Sequence, residues 1–449
     1  MRAAALVAAA ILVPAAATAA SLADTLVTAY RHSGLLEQNR ATLRAADEDV
    51  AQAISTLRPV IGYTGDVTYA NVLNDRRDLT ATLGLNADLL LYDGGASRLA
   101  IDATKETVLI TREQLLQIEQ QVLFDAVLAH LDMRRAMAFL DLAQNNVRLI
   151  DRQLSAARDR FEVGEITRTD VSIAESRLAS ARSSLASARG DLAAAEASYR
   201  EAVGVAPSDI REPQSTPRIA DSLDAALAIA RRNHPAIRQS QRQVTVAEIN
   251  VARAEAGLRP RLSARAGVSV NQDFDDASSI GVQLSGPVYS GGQIRSLIRQ
   301  AAARRDAARS NLHVVRHQVD ANLRTVWSQY QVAIASLAAT REQINAATVA
   351  FRGVQEEATL GARTTLDVLN AEQELLDARA SAIASEINRT QSVYALLSAS
   401  GLLTVDHLDL GIVTYDPAAY YNAVKSAPRT RPSAQGKQLD DLLKSIGRD

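Results

Sequence analysis

Cysteine is absent from all 449 residues, which removes disulfides, thiolate nucleophiles, cysteine-based metal sites and a lipid anchor on an N-terminal cysteine. Aromatic residues are scarce at 4%, although the hydrophobic fraction is an ordinary 47%. Alanine dominates that fraction, which suits long, closely packed helices better than a bulky globular core. An excess of one charge is also missing. Lys and Arg number 49 against 51 Asp and Glu, a formal charge of -2, so there is no electrostatic case for nucleic acid as a partner. Beyond residue 20 no apolar run approaches the roughly 18 residues that a spanning helix needs, and the mature chain is not expected in the inner membrane. The histidines are scattered. His313 and His317 share a helix face at i, i+4 without an HExxH context, which points to a solvated pair instead of a zinc site. With no glycine-rich phosphate loop and no nucleophile elbow, no catalytic residue, cofactor or metal is expected, and the chain does not read as an enzyme.

What is present begins with a secretory signal peptide over residues 1–20. Arg2 is followed by an apolar stretch from Ala3 to Val13, and Ala17, Ala19 and Ala20 offer cleavage after Ala19 or Ala20. The remainder is two copies of one unit. Ser21, Leu22, Leu26 and Ala29 reappear as Ser222, Leu223, Leu227 and Ala230, and Leu57-Arg58-Pro59 reappears as Leu258-Arg259-Pro260. The register then shifts by four residues and holds again. Tyr92-Asp93-Gly94-Gly95 matches Tyr289-Ser290-Gly291-Gly292. Gly164, Thr167, Asp170-Val171 and Ala174-Glu175 match Gly361, Thr364, Asp367-Val368 and Ala371-Glu372; Gly204 matches Gly401. The predicted layout is a first repeat over 21–206, a Pro- and Ser-bearing linker over 207–221, a second repeat over 222–401, a C-terminal segment over 402–424 and a disordered tail over 425–449.

Each repeat contains two two-faced strands. Ile61, Tyr63, Val67 and Tyr69 alternate with Thr64, Asp66 and Thr68, and Leu79, Leu83, Leu85 and Leu89 alternate with Thr80, Thr82, Asn86 and Asp88. The pattern predicts strands over about 60–70, 79–90, 261–271 and 279–289. Alternation of this kind fits either a transmembrane barrel with a wet lumen or a half-buried soluble sheet. The helices that follow carry narrow seams, not faces broad enough to cover a sheet, which favours the barrel. Four strands cannot close alone, and in lipid an open edge leaves backbone groups unpaired, so three chains supplying twelve strands are expected. Tyr92 and Tyr289 then lie where an interfacial aromatic would anchor the barrel.

Long helices are predicted over about 96–163 and 293–360, each on the order of 100 Å at about 1.5 Å per residue, with return helices over about 167–203 and 364–400. A seam on the first long helix runs through Val122, Ala126, Ala129, Met133, Ala136, Leu140, Ala143, Val147, Ile150, Leu154, Ala157 and Phe161; the return helix repeats Val171, Ala174, Leu178, Ala181, Leu185, Ala188, Leu192, Ala195, Tyr199 and Ala202. Such a strict seven-residue period keeps a seam against a partner helix, and a plain antiparallel coiled coil has the same periodicity. In the turns between these helices Thr167 and Thr364 are placed as N-caps, with Asp170 and Asp367 in the first helical turn. Capping accounts for those four residues by itself, while leaving the turns available as a surface.

The tandem units, the Leu-Arg-Pro before each strand pair, the Tyr-x-Gly-Gly after it and the two Gly-x-x-Thr-x-x-Asp-Val turns together resemble the TolC family of outer-membrane efflux and secretion proteins. The likeness covers Ser21 to about Leu410. The Tyr415-Asp416-Pro417 tail and the lack of a lipobox are more similar to the type I secretion branch. The resemblance implies a mainly α fold with membrane β: a tandem-repeat subunit of a homotrimeric 12-stranded β-barrel, continued by a 12-helix α-barrel into the periplasm of a Gram-negative bacterium. It implies as partners outer-membrane lipid, a periplasmic membrane-fusion adaptor and an inner-membrane ABC or RND transporter. It further implies that Val163, Gly164, Thr167, Leu360, Gly361 and Thr364 lie in adaptor-contact turns, and that Asp367, Arg363, Asn370 and Asp170 surround the periplasmic aperture, Arg363 as part of its latch. The chain departs from the family pattern at Asn370, where the best-known members carry a second carboxylate, and at Ala358, where an aromatic latch residue is found. A soluble periplasmic coiled-coil structural or adaptor protein is the competing reading. The exported cargo and the pump served are not encoded in these motifs.

Overall fold

The computed structural model describes residues 21–72, 76–207, 210–211, 216–425 and 441; the signal peptide, part of the linker and nearly all of the tail lie outside them. So do residues 73–75 and the side chains of 70–78 at the first hairpin tip. The protein is mainly helical. In chain order its elements are α1 (Leu22–His32), α2 (Gly34–Ser55), β1 (Val60–Val72), β2 (Arg76–Tyr92), α3 (Ala96–Glu162), α4 (Arg168–Val203), α5 (Leu223–Asn233), α6 (Pro235–Ala256), β3 (Arg261–Asn271), β4 (Asp276–Ser285), α7 (Gln293–Thr359), α8 (Thr365–Ala399) and α9 (Ala419–Val424). No helix among the described residues is long and apolar enough to cross a membrane.

Two compact units cut across the sequence repeats. Among the described residues one comprises 21–33, 122–207, 210–211, 216–218 and 328–395, the other 34–72, 76–121, 219–327, 396–425 and 441, so each draws on both copies. A repeat of this kind is a unit of sequence that buries its apolar surface only against its neighbour.

The second of these units holds the sheet, an antiparallel meander in the order β1-β2-β3-β4. Tyr63 faces Leu85, Leu85 faces Val268, and Ala266 faces Ile280, so the apolar positions of all four strands share one face. That face is bare: Tyr63 is 81% and Ile280 90% exposed. β4 stops at Ser285 instead of running to 289. Gly286 and Pro287 follow, and a proline has no N–H to continue the ladder. The same unit has a compact base in which Leu43 and Val50 of α2 and Val108 of α3 are buried together, with Tyr415 and Tyr421 of the C-terminal segment packed against them. The Tyr420 hydroxyl donates to Glu48 at 2.7 Å, and the Arg112 guanidinium lies 5.5 Å from the centre of the Tyr421 ring.

The first-named unit contains α3 from residue 122, all of α4, α7 from residue 328 and α8 to residue 395. Its α4 seam is buried at Ala174, Leu178, Ala181, Ala188 and Tyr199. On α3, however, the narrow seam widens between 122 and 133, where Leu123, Val127, His130 and Leu131 are buried beside it. The extra covering includes α1 and the linker. Thr25 of α1 bonds His130 Nδ1 at 2.9 Å and Tyr199 Oη at 3.1 Å, and His130 Nε2 lies 3.3 Å from the Arg211 carbonyl. Because a carbonyl can only accept, Nε2 carries a proton. Burial keeps the ring neutral, pushing the His130 pKa down to about 4.

Candidate functional site

The sequence-predicted site residues fall in two turns of the same unit, and the chain chemistry of each turn fixes its shape. α3 ends when Gly164 enters the left-handed region at φ 78°; Gly164 N–H then donates to Phe161 O at 3.0 Å and Glu165 N–H to Arg160 O at 2.9 Å. This pair of bonds is a Schellman closure, and it satisfies carbonyls that the end of the helix would otherwise leave open. The second turn repeats it. Gly361 has φ 77°, its N–H donates to Ala358 O at 3.2 Å, and Ala362 N–H donates to Glu357 O at 2.9 Å.

Each return helix then opens with a reciprocal cap. Asp170 N–H donates to Thr167 Oγ1 at 3.3 Å, while Thr167 N–H donates to Asp170 Oδ2 at 3.0 Å. Asp367 N–H donates to Thr364 Oγ1 at 3.2 Å, and Thr364 N–H returns the bond to Asp367 Oδ2 at 3.0 Å. Both carboxyls are held below the usual range, Asp170 by the hydroxyl and backbone of Thr167, Asp367 by the backbone and hydroxyl of Thr364 with a smaller contribution from Arg363. Two stiff turns therefore present an apolar side chain each to solvent, Val163 at 72% and Leu360 at 85% exposure.

Around the second turn the latch candidates take particular partners. Arg363 Nε donates to Glu357 Oε2 at 2.8 Å and reaches Asp367 only through its field. Asn370 accepts from Arg177 Nη2 of α4 at 3.1 Å, a bond that ties the two return helices together across the repeats. Ala358 is buried. The sequence pattern did not single out Glu357, which meets Arg363 within the same turn, or Arg177, which meets Asn370 only through the helix pairing. It also missed Glu372, which is buried on α8. For Glu372 the sequence did hold a signal, since Glu175 aligns with it.

At the sheet, Gly94 takes φ 70° where an added Cβ would come within 2.6 Å of Arg259 Cβ, and Arg259 Nη1 donates to Gly94 O at 2.8 Å. The arginine of the second Leu-Arg-Pro thus pins the first Gly-Gly turn, fixing how β2 passes into α3. Among the described residues no cluster of His, Asp and Glu is arranged to hold a metal ion.

Two repeats, each with a capped helical turn, and a four-stranded sheet whose apolar face is exposed put the chain in the class of TolC-like channel folds. The chain matches the family model described as Outer membrane efflux protein over residues 26–205 and 226–402, and it belongs to that family. It is 35% identical over 417 residues to the outer membrane efflux protein BepC of Brucella suis biovar 1, covering 91% of each chain. It is 23% identical over 460 residues to the outer membrane protein TolC of Escherichia coli K12, covering 94% of this chain and 91% of that one. Among solved structures, the outer membrane protein VceC of Vibrio cholerae superposes with a TM-score of 0.74 over 85% of this chain and 96% of that chain, at 20% identity, which establishes the fold. The protein is accordingly an outer-membrane channel of efflux and secretion type, in a family of transport proteins and not of enzymes.

Proposed function

We propose that three copies of this chain close their sheets into one 12-stranded outer-membrane barrel, continued by a 12-helix barrel in the periplasm. Each of the two repeats, 21–206 and 222–401, joined by 207–221, contributes one strand pair and one helical hairpin. The observation that carries this reading is the sheet. β1 and β4 are open edges in a four-stranded order, and among the described residues the apolar face is left exposed. Lipid outside and a sister strand at each edge answer both deficits at once. The trimer is a passive exit duct for type I secreted proteins, small molecules or both. It does no covalent chemistry and carries no cofactor. A periplasmic adaptor docks on the turns containing Val163, Gly164, Thr167, Leu360, Gly361 and Thr364, and an inner-membrane ABC or RND transporter supplies the energy. Asp367, Arg363, Asn370 and Asp170 surround the aperture, which opens when the hairpin tips move apart, a bistable rearrangement that a partner can bias.

Membrane fractionation and planar-bilayer recording test this together. The protein is expected in the outer-membrane fraction as a heat-sensitive trimer that conducts ions, and Asp367→Ala or Arg363→Ala is expected to raise its conductance. A soluble monomer overturns the barrel; a conducting trimer whose variants match wild type removes the latch assignment.

A further inference from the structure

Glu372 lies on α8, a little more than one turn beyond Asp367, and is 4% exposed. Among the described residues neither carboxylate oxygen has a hydrogen-bond partner. The residues at its flanks pack into apolar clusters: Leu369 with Ile150, Leu154 and Leu178, and Leu375 with Ala347 and Ala378. An unpaired ionised carboxylate is poorly tolerated in such surroundings, and the neutral acid is far better suited.

The repeat supplies an internal control. Glu175, which aligns with Glu372, is exposed on α4 and accepts a salt bridge from Arg158 of α3 at 2.7 Å. The residue that aligns with Arg158 is Gln355, so the second copy keeps the acid without the cation. The charges on the surrounding helices are engaged elsewhere or face solvent. On α3 Arg158 serves Glu175 and Asp151 meets Arg182; on α4 Arg177 serves Asn370. On α7 Glu357 holds Arg363, while Arg352 and Glu356 are exposed; on α8 Asp367 is held by Thr364, Asp377 accepts from Gln373, and Glu374 is exposed. None of them perturbs Glu372, whose pKa is pushed up to about 7 by burial alone.

We propose that Glu372 is a proton switch in the α7–α8 tip: the neutral acid lets α8 lie packed, and ionisation loosens it, so the aperture closes more firmly in acid and opens more readily as pH rises. The aperture clause rests on the function proposed above, whereas the switch in α8 packing does not. The sign follows from linkage. A carboxyl that is harder to ionise packed than unpacked favours the unpacked state increasingly as pH rises from the ordinary carboxylate range through about 7. With an unpacked value near 4.5, the opening equilibrium of one hairpin should rise about tenfold between pH 6 and pH 8.

The test is bilayer conductance and backbone hydrogen exchange in 365–380, corrected for intrinsic pH dependence, for wild type, Glu372→Gln, Glu372→Leu and Glu175→Gln from pH 5.5 to 8.5. Wild type and Glu175→Gln are expected to show opening that increases with pH, and both Glu372 variants to be flat in that range; the leucine variant covers the case in which a buried amide disturbs packing. Glu372 variants that keep the wild-type pH profile of exchange overturn the switch. If the chain forms no channel at any pH, the aperture reading falls and the exchange profiles alone decide the switch.

Discussion

Gly401 and Gly361 have nearly the same backbone and different surroundings, which separates two costs that glycine substitutions usually confound. Gly401 ends α8 at φ 74° in a Schellman closure, with Leu402 N–H donating to Leu397 O at 2.8 Å. An added Cβ would lie 2.7 Å from His234 Cα and 3.1 Å from His234 N, both backbone atoms at the start of α6. Gly361 has φ 77° and nothing within 4 Å of the same virtual atom. Left-handed backbone costs alanine about 1 kcal/mol, which is all that Gly361→Ala should lose. Gly401→Ala adds forced displacement of packed backbone, about 1–3 kcal/mol more, for a total near 3 kcal/mol. Thermal unfolding of the detergent-purified protein, followed by circular dichroism at one scan rate because unfolding of such proteins is often irreversible, reads the difference. Gly401→Ala should lower the midpoint by at least twice the drop seen for Gly361→Ala. Equal drops would mean that the approach of Gly401 to His234 is not a packed contact, and the reasoning from the virtual Cβ would fail.

Two further outcomes are expected. Thr167→Ala and Thr364→Ala each remove an N-cap acceptor worth about 1 kcal/mol, so amide exchange in the first turn of α4 or α8 should accelerate about fivefold, with no change at the far ends of those helices. His130 is neutral in the fold with a pKa of about 4 against an ordinary 6.5, so the unfolded chain takes up more protons between those values and stability falls as pH drops through that window. The loss should reach about 2 kcal/mol by pH 5, and melting of His130→Gln should lack most of that acid sensitivity; an unchanged profile would place the acid-sensitive group elsewhere.

Much of this architecture was legible because it is carried by short-range rules. Period-two alternation marked the strands, and glycine followed by threonine and aspartate marked both helical turns, since the left-handed residue and the cap are each set within a few residues of chain. The illegible parts depend on what approaches from elsewhere. A seven-residue seam describes contact with one partner, so it could not reveal that Leu123, Val127, His130 and Leu131 would be buried as well, with α1 and the linker among their neighbours. Phe161 fits the seam by phase yet is exposed, because it lies in the last turn of α3 where the chain already bends into the Schellman closure. The end of β4 was readable in principle, as Pro287 breaks the ladder that the alternation of Val282, Leu284 and Val288 would extend. Asn370 looked like a weakened carboxylate site, whereas its amide oxygen has a specific donor in Arg177, a partner from the other repeat that no local pattern encodes.

The same comparison between copies bears on how the two tips can move. The first hairpin is flanked by Arg158–Glu175 at 2.7 Å and Arg182–Asp151 at 3.9 Å, both solvent-exposed pairs of the kind worth less than about 1 kcal/mol each. Among the described residues of the first tip no carboxyl is buried without a hydrogen-bond partner, so that tip has no counterpart of Glu372. The second hairpin replaces that charge pairing with the Ala347, Leu375 and Ala378 cluster and the buried acid of Glu372. A hydrogen bond from Arg177 to exposed Asn370 joins the two, and a bond of that type contributes roughly 1 kcal/mol. That is smaller than the bias that ionising a buried carboxyl can exert, so loosening of α8 should break the link without carrying α4 with it. The second hairpin would then move while the first stays packed, which makes an asymmetric opening, one hairpin per chain, the expected response to a rise in pH.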